Sequence, residues 1–273
     1  MGTLTASASA SAGTGAGARS GTGTGAGPRL RHAEPVMGTV FSFDLPAAAA
    51  PVLPPVLRWL HWVDRTFSTY REDSDVSRYG RGQASLDGCA PELAEVIAEC
   101  ALLTDVSGGY FTDHPGDRFD PSGLVKGWSI EHAATMLTSV GQLSHSVNGA
   151  GDVQCTGEPE PGRPWRIGIA NPLGPQALAA VVSGRDFAVA TSGLAERGPH
   201  IMNPHTGLPA TGLASLTVVG PRVATADAYA TAAFAMGPAA RDWVESLDGY
   251  EAFAVTPGGQ PWQTSGFGAY AAS

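Results

Sequence analysis

The sequence has few basic residues, few cysteines and no long apolar run. Only 16 of its 273 residues are Lys or Arg, against 25 Asp or Glu, which gives a formal net charge of -9 at pH 7. Nucleic acid binds mainly through contacts between cations and phosphates, so an acidic chain is a poor partner for it. No uninterrupted apolar segment approaches the roughly 20 residues of a membrane-spanning helix. We therefore expect neither nucleic acid nor a membrane among its partners.

The three cysteines, Cys89, Cys100 and Cys155, lack the spacing of a metal site, and an odd number cannot all pair within one chain. This favours a reducing compartment. Residues 1–30 contain almost only Gly, Ala, Ser and Thr, without the apolar core of a secretory signal and without a following cysteine that could accept a lipid. Such a composition predicts a disordered tail, and we expect a cytoplasmic protein.

Residues 31–273 are assigned to one domain, and their patterns mix strands with helices. Alternation in GTVFSFDL predicts a strand, and apolar residues at three- and four-residue spacing predict helices after Pro55, around Leu93 to Leu103 and from near Lys126. Further strands are predicted in HSVNGAGDV, WRIGIA, FAVATS, ASLTVVG and EAFAVT, and short helices in PQALAAVV, ADAYATAAFAM and PAARDWVESL. Because no regular strand-helix-strand repeat occurs, the pattern favours a layered α+β fold over a doubly wound sheet.

The stretch FDPSGLVKGWS, residues 119–129, is a candidate anion site. Pro121 and Gly123 indicate a turn, and the helix expected after it would offer free N–H groups with Lys126 in its first turn. A structural turn with a solvated lysine is the alternative. The glycine spacing excludes a P-loop.

Two histidines, His200 and His205, stand in the loop-like stretch ERGPHIMNPHTGLPA. A histidine in such a loop can act as a general base near neutral pH, although position alone does not decide between a functional and a structural role. His200 is the stronger candidate because it adjoins Ile201 and Met202. Nearby, SGGYFT could stack a planar ring or pack ordinarily, and NGAGDV is too irregular for a Rossmann fingerprint.

In ATADAYATAAFAMG, Asp227 and Thr231 are four residues apart, so a helix would place both on one face. Carboxylate and hydroxyl oxygens are hard ligands suited to Mg²⁺. Alternatively, Asp227 complements a helix dipole in the first turn and Thr231 bonds back to its own helix.

Taken in order, these stretches resemble the ApbE family of Mg²⁺-dependent FAD:protein FMN transferases, also called flavin transferases. The resemblance runs from about Glu34 to Val255 and rests on VMGTVFSF, FSTYREDSDVSRYG, SGGYF, DPSGLVKGW, NGAGDV, IGIANP, ATSG, HIMNPHTGLPA and TADAYATAAFAMG. It implies a layered αβ domain with a mixed or antiparallel sheet and flanking helices. It also implies Mg²⁺ as cofactor, FAD as substrate and a protein acceptor whose threonine receives FMN while AMP departs.

The resemblance implies roles for individual residues. Asp227, Thr231 and the carbonyl of Gly123 match the family's metal ligands, and His200 matches its catalytic histidine. Eight residues match flavin contacts: Met37, Tyr70, Tyr110, Phe111, Thr112, Asp120, Lys126 and Ile201. Thr112, Ala150 and Asn203 depart from the usual residues, and the segment from Phe111 to Asp120 is short. An FAD pyrophosphatase and a non-catalytic FAD-binding protein are the alternative functions.

Overall fold

The protein is described here by a computed structural model that covers residues 27–174, 177–194, 198 and 201–272. Residues 1–26 of the predicted tail lie outside the described part. Arg29 and Leu30, the last two residues assigned to that tail, belong to the first strand.

Helices account for the predicted apolar stripes. Within the described residues they are α1 (Leu53–Phe67), α2 (Asp75–Gly80), α3 (Pro91–Val106), α4 (Ser122–Ser139), α5 (Val223–Met236) and α6 (Ala240–Glu245). The start predicted for α4 near Lys126 was wrong, because Pro121 precedes the first turn and the Oδ1 atom of Asp120 accepts a hydrogen bond from the Ser122 N–H group at 3.0 Å. Lys126 therefore lies in the second turn of α4 and not in the first.

Strands form one large sheet and two small ones. They are β1 (Arg29–Val36), β2 (Thr39–Pro46), β3 (His145–Gly149), β4 (Asp152–Thr156), β5 (Trp165–Ala170), β6 (Leu178–Gly184), β7 (Phe187–Gly193), β8 (Met202–Asn203), β9 (Leu208–Pro209), β10 (Ser215–Gly220), β11 (Glu251–Val255) and β12 (Pro261–Gln263). The eight-stranded sheet has the order β1-β2-β3-β4-β7-β10-β11-β12, and β5-β6 and β8-β9 are separate pairs. Each of these pairings is antiparallel, which agrees with the predicted α+β class.

One predicted helix was wrong. The described part of PQALAAVV is strand β6, which pairs with β5 in a register that sets Ile167 opposite Val182. Val181 and Val182 are β-branched and favour a pleated surface, and Val182 is buried against the large sheet. The run HSVNGAGDV is two strands, because Ala150 and Gly151 both have positive φ, 53° and 94°, as a two-residue hairpin turn requires.

The large sheet is buried on both faces of its centre. On β7, Ala188 and Ala190 pack toward the helices, while Phe187 and Val189 pack with Trp165 of the small β5-β6 sheet. Burial on both sides explains why β7 begins with the unbroken apolar run of Phe187 to Ala190 and does not alternate there. None of the helices in the described residues is both long and apolar enough to cross a bilayer.

Candidate active site at helices α4 and α5

The start of α5 is held by side chains from other elements. Arg222 precedes the helix and gives no side-chain cap. Instead, Gln154 of β4 accepts a hydrogen bond from the N–H group of Val223 at 2.9 Å, and Glu131 of α4 accepts one from Ala224 at 3.2 Å. These bonds satisfy backbone donors that a helix start otherwise leaves unpaired. The helix that carries Asp227 and Thr231 is thus fixed against both β4 and α4.

A glycine lets the two helices approach closely. A Cβ atom at Gly127 of α4 would lie 3.0 Å from the Cα atom of Ala224, 3.0 Å from the Cβ atom of Asp227 and 3.0 Å from the carbonyl oxygen of Val223. Any larger side chain at this position would push α5 away. The close approach brings Lys126, the preceding residue, beside Asp227.

Lys126 lies between two buried carboxylates. Its ammonium group forms an ion pair with the Oδ2 atom of Asp152 and lies 3.3 Å from the Oδ1 atom of Asp227. The other oxygen of Asp152 accepts a hydrogen bond from the backbone N–H group of Thr191 in β7 at 2.9 Å. Burial lowers the pKa of Lys126, but the charges of Asp152 and Asp227 outweigh this effect and raise it overall. The lysine therefore stays charged.

Asp227 is the least satisfied group of the site. Its residue is 4% exposed, and its Oδ2 atom is buried without a hydrogen-bond partner in the described residues. Burial raises the pKa of Asp227 to about 7; Lys126 opposes this shift and the charge of Asp152 adds to it. Asp227 lies in the second turn of α5, so it is not an exposed first-turn carboxylate that complements the helix dipole.

The oxygen donors of α5 and α4 suit a magnesium ion. Thr231 follows Asp227 by one turn, and its hydroxyl oxygen lies 3.3 Å from that of Ser192 in β7. In the described part of the chain, no three His, Cys, Asp or Glu side chains form a group that could hold a metal. The oxygen donors predicted for such an ion are the Asp227 carboxylate and the Thr231 hydroxyl, one turn apart on α5, and the carbonyl of Gly123 in the first turn of α4. These are hard oxygen ligands, and the unpaired Oδ2 atom of Asp227 is available to such an ion.

Two predicted flavin contacts lie beside the start of α4. Phe111 is buried, its N–H group donates to the Ser107 hydroxyl at 2.9 Å, and its ring faces Gly123, where a Cβ atom would lie 3.4 Å from ring atom Cε2. The neighbouring Tyr110 places its ring edge-on to that of His205, with centroids 4.4 Å apart. An aromatic pair of this kind can border a planar ligand.

The remaining predicted contacts are spread more widely. Thr112 and Asp120 accept hydrogen bonds from nearby backbone, the hydroxyl of Thr112 from His114 at 3.0 Å. Met37 stands in the β1-β2 turn with a φ of 56°, a conformation that non-glycine residues rarely adopt. Ile201 is buried in the core shared with α5. Tyr70 is 97% exposed, and within the described residues no hydrogen bond or ring contact joins it to another predicted site residue.

The histidine loop is described only in part. His200 lies outside the described residues. Asn203, one of the departures from the family pattern, donates to the Ala235 carbonyl of α5 at 3.2 Å and accepts from the N–H group of His205 at 2.9 Å. It therefore ties the β8-β9 turn to the helix that carries Asp227.

Four side chains of this site were not predicted from the sequence. Asp152 contacts Lys126, Gln154 and Glu131 hold the start of α5, and Ser192 contacts Thr231. Asp152 follows the glycines of NGAGDV and Ser192 stands in ATSG, so both lie in stretches already noted. A polar residue in an otherwise apolar strand was the available signal, since such a residue needs a buried partner.

The fold and the site define an α+β protein in which two packed helices and two central strands assemble carboxylate, hydroxyl and ammonium groups. The ApbE family model matches residues 112–254, just over half of the 273 residues, and the chain belongs to this family.

Curated relatives bear the name FAD:protein FMN transferase. The protein from Vibrio cholerae is 30% identical over 177 residues, which are 59% of this chain and 53% of that protein. The one from Escherichia coli is 28% identical over 162 residues, 56% of this chain and 46% of that protein. The chain thus spans about half the length of the curated relatives it matches.

Solved structures share the fold. The flavin transferase ApbE from Vibrio cholerae has a TM-score of 0.78 at 22% identity, covering 89% of this chain and 99% of its own. The ApbE protein from Thermotoga maritima has a TM-score of 0.80 at 21% identity, covering 90% and 100%. This likeness confirms the layered αβ architecture.

Proposed function

We propose that the protein is a Mg²⁺-dependent FAD:protein FMN transferase that moves the FMN part of FAD to a threonine hydroxyl of an acceptor protein and releases AMP. Membership of the ApbE family and the names of its relatives support flavin transfer. The observation that carries the proposal is the buried, unpaired Oδ2 atom of Asp227 beside the Lys126 ammonium group. The unpaired carboxylate oxygen suits a cation, and the ammonium group beside it suits an anionic ligand.

The proposed site has three parts: metal ligands, a general base and flavin contacts. Asp227, Thr231 and the Gly123 carbonyl hold Mg²⁺, and His200 acts as general base. The flavin dinucleotide contacts Met37, Tyr70, Tyr110, Phe111, Thr112, Asp120, Lys126 and Ile201. Mg²⁺ and Lys126 would offset the negative charge of the diphosphate locally, which a chain of net charge -9 otherwise repels.

The reaction exchanges one phosphorus–oxygen bond for another. The threonine oxygen of the acceptor bonds to the FMN-side phosphorus, while the bond from that phosphorus to the bridging oxygen breaks and this oxygen departs with AMP. His200 accepts the hydroxyl proton. Lys126 offsets negative charge on the diphosphate. When bound, Mg²⁺ would supply further charge compensation at the phosphates.

Asp227→Asn tests the metal ligand at nearly constant volume. The full chain is incubated with FAD, MgCl₂ and a panel of candidate acceptor proteins from the same host, and fluorescent flavin is measured on the denatured acceptors. We expect Asp227→Asn to lower the rate of transfer by about 10²-fold or more, because charge compensation by a metal is worth several kcal/mol. The exposed Asp248→Asn is the matched control and should keep the wild-type rate.

The products distinguish the three candidate functions. Flavin on an acceptor supports transfer, free FMN and AMP without a labelled acceptor indicate a pyrophosphatase, and intact bound FAD indicates a non-catalytic binding protein. Full transfer by Asp227→Asn would contradict the metal site.

His200→Ala should slow transfer by about 10²- to 10⁴-fold while FAD binding persists.

A further inference from the structure

Lys126 forms ion pairs with two carboxylates that have different proposed roles. Its ammonium group donates a hydrogen bond to Asp152 and lies 3.3 Å from the Oδ1 atom of Asp227. Asp227 is the residue assigned to the metal, whereas Asp152 has no assigned role. One ammonium group and two carboxylates leave a formal charge of -1 at this place, which a divalent cation would turn into +1.

A divalent cation and the Lys126 ammonium group would compete for the Asp227 carboxylate. A cation bound to the Asp227 carboxylate would lie close to the ammonium group of Lys126, and two like charges at such a distance repel strongly in a buried site. The lysine must therefore be held elsewhere whenever the metal is present. Asp152 is the carboxylate that can hold it, because its Oδ2 atom already accepts a hydrogen bond from the ammonium group.

Asp152 is itself held in place. It is 1% exposed, it begins strand β4, and its Oδ1 atom accepts the hydrogen bond of Thr191 N–H from the neighbouring strand β7 at 2.9 Å. The opposite oxygen is thus directed at Lys126. The Lys126 side chain is 30% exposed, so it lies at the edge of the buried cluster.

We propose that Asp152 is a positioning residue that keeps the Lys126 ammonium group away from Asp227 and next to the phosphates when a divalent cation binds. This inference rests on the proposed function. Without the charge of Asp152, Asp227 would be the one anionic partner left to Lys126 among the described residues, and the lysine would compete with the metal.

Binding of Mn²⁺, measured by the electron paramagnetic resonance signal of the free ion, tests this without any flavin chemistry. A double-mutant cycle compares wild type, Asp152→Asn, Lys126→Gln and the double variant. We expect Asp152→Asn to weaken Mn²⁺ binding by about tenfold or more, because the Lys126 ammonium group then competes with the ion for the Asp227 carboxylate. Lys126→Gln alone should change it by less than about threefold, and the double variant should return to within about threefold of wild type.

The pattern separates competition from simple charge attraction. If Asp152 acted only through its charge, Lys126→Gln would tighten Mn²⁺ binding equally in both backgrounds, and this result would overturn the proposal. Unchanged binding by Asp152→Asn would overturn it as well, while the metal site of the proposed function would stand. If wild type itself bound no Mn²⁺, both would fail together.

Folding is checked by thermal unfolding of each variant, with Asp248→Asn as a surface control for the loss of one negative charge. If Asp152→Asn does not fold, Mn²⁺ binding by wild type is compared with that by Lys126→Gln alone. Tightening of Mn²⁺ binding by tenfold or more in Lys126→Gln would mean that the lysine competes even with Asp152 present, and would overturn the proposal. A change below about threefold would support it.

Discussion

Gln154→Leu tests how the start of α5 is held in place. The amide oxygen of Gln154 accepts from Val223 N–H at 2.9 Å, and its amide nitrogen donates to the Pro221 carbonyl at 3.1 Å. Leucine has a similar size but forms neither bond. Val223 is fully buried, so its N–H group would lose its partner without access to water.

The expected loss of stability follows from these bonds. A buried donor left unpaired costs about 1–3 kcal/mol, whereas the Pro221 carbonyl belongs to an exposed residue and can be hydrated at little cost. We therefore expect Gln154→Leu to lower the free energy of unfolding by about 2 kcal/mol. For a protein of this size that corresponds to a fall in Tm of about 4 to 8 °C.

Thermal unfolding followed by circular dichroism measures the effect. Gln154→Glu keeps an acceptor for Val223 but sets a buried carboxylate against the Pro221 carbonyl, so its Tm should also fall below that of wild type. Gln260→Leu, at an exposed position between β11 and β12, makes the same change of side chain and should alter stability by less than about 0.5 kcal/mol. A Tm of Gln154→Leu within 1 °C of Gln260→Leu would refute the reasoning that these two bonds hold the helix.

Three further outcomes are expected. Gly127→Ala should destabilise the protein by about 1–3 kcal/mol in urea unfolding, despite the better helix propensity of alanine, because its Cβ atom would meet α5 at 3.0 Å; equal or greater stability would contradict this. Burial lowers the pKa of His145 below its ordinary 6.5. The free energy of unfolding should therefore be independent of this group above pH 6.5 and fall as the pH drops below 6.5. His145→Gln should flatten the dependence of Tm on pH between about pH 7.5 and 5, and an unchanged slope would contradict this. Arg29→Met should cost about 1.5–3 kcal/mol, since among the described residues it leaves the partly buried Asp44 carboxylate with the exposed Arg31 as its remaining cationic partner; a loss below about 0.5 kcal/mol would show that the pair adds little.

Local patterns in the sequence were sufficient for most elements. Apolar spacing predicted α1 and α3, and alternation predicted β2, because each of these elements buries one face. The helix predicted in PQALAAVV was wrong because its alanines suit a helix while pairing with β5, a tertiary contact, selected the strand. Strand β1 was missed because it begins in residues assigned to the tail.

The sequence by itself determined which residue types are available: Asp227 and Thr231 one turn apart, and a lysine following Gly123. Only the tertiary structure decided that Lys126 pairs with Asp152. These two residues are 26 positions apart in the chain, and nothing in their spacing encodes the contact. It arises because Gly127 lets α4 approach α5 closely, while β4 and β7 bring the carboxylate to the same place. Long-range packing of this kind depends on the complete core, so no local pattern can reveal it.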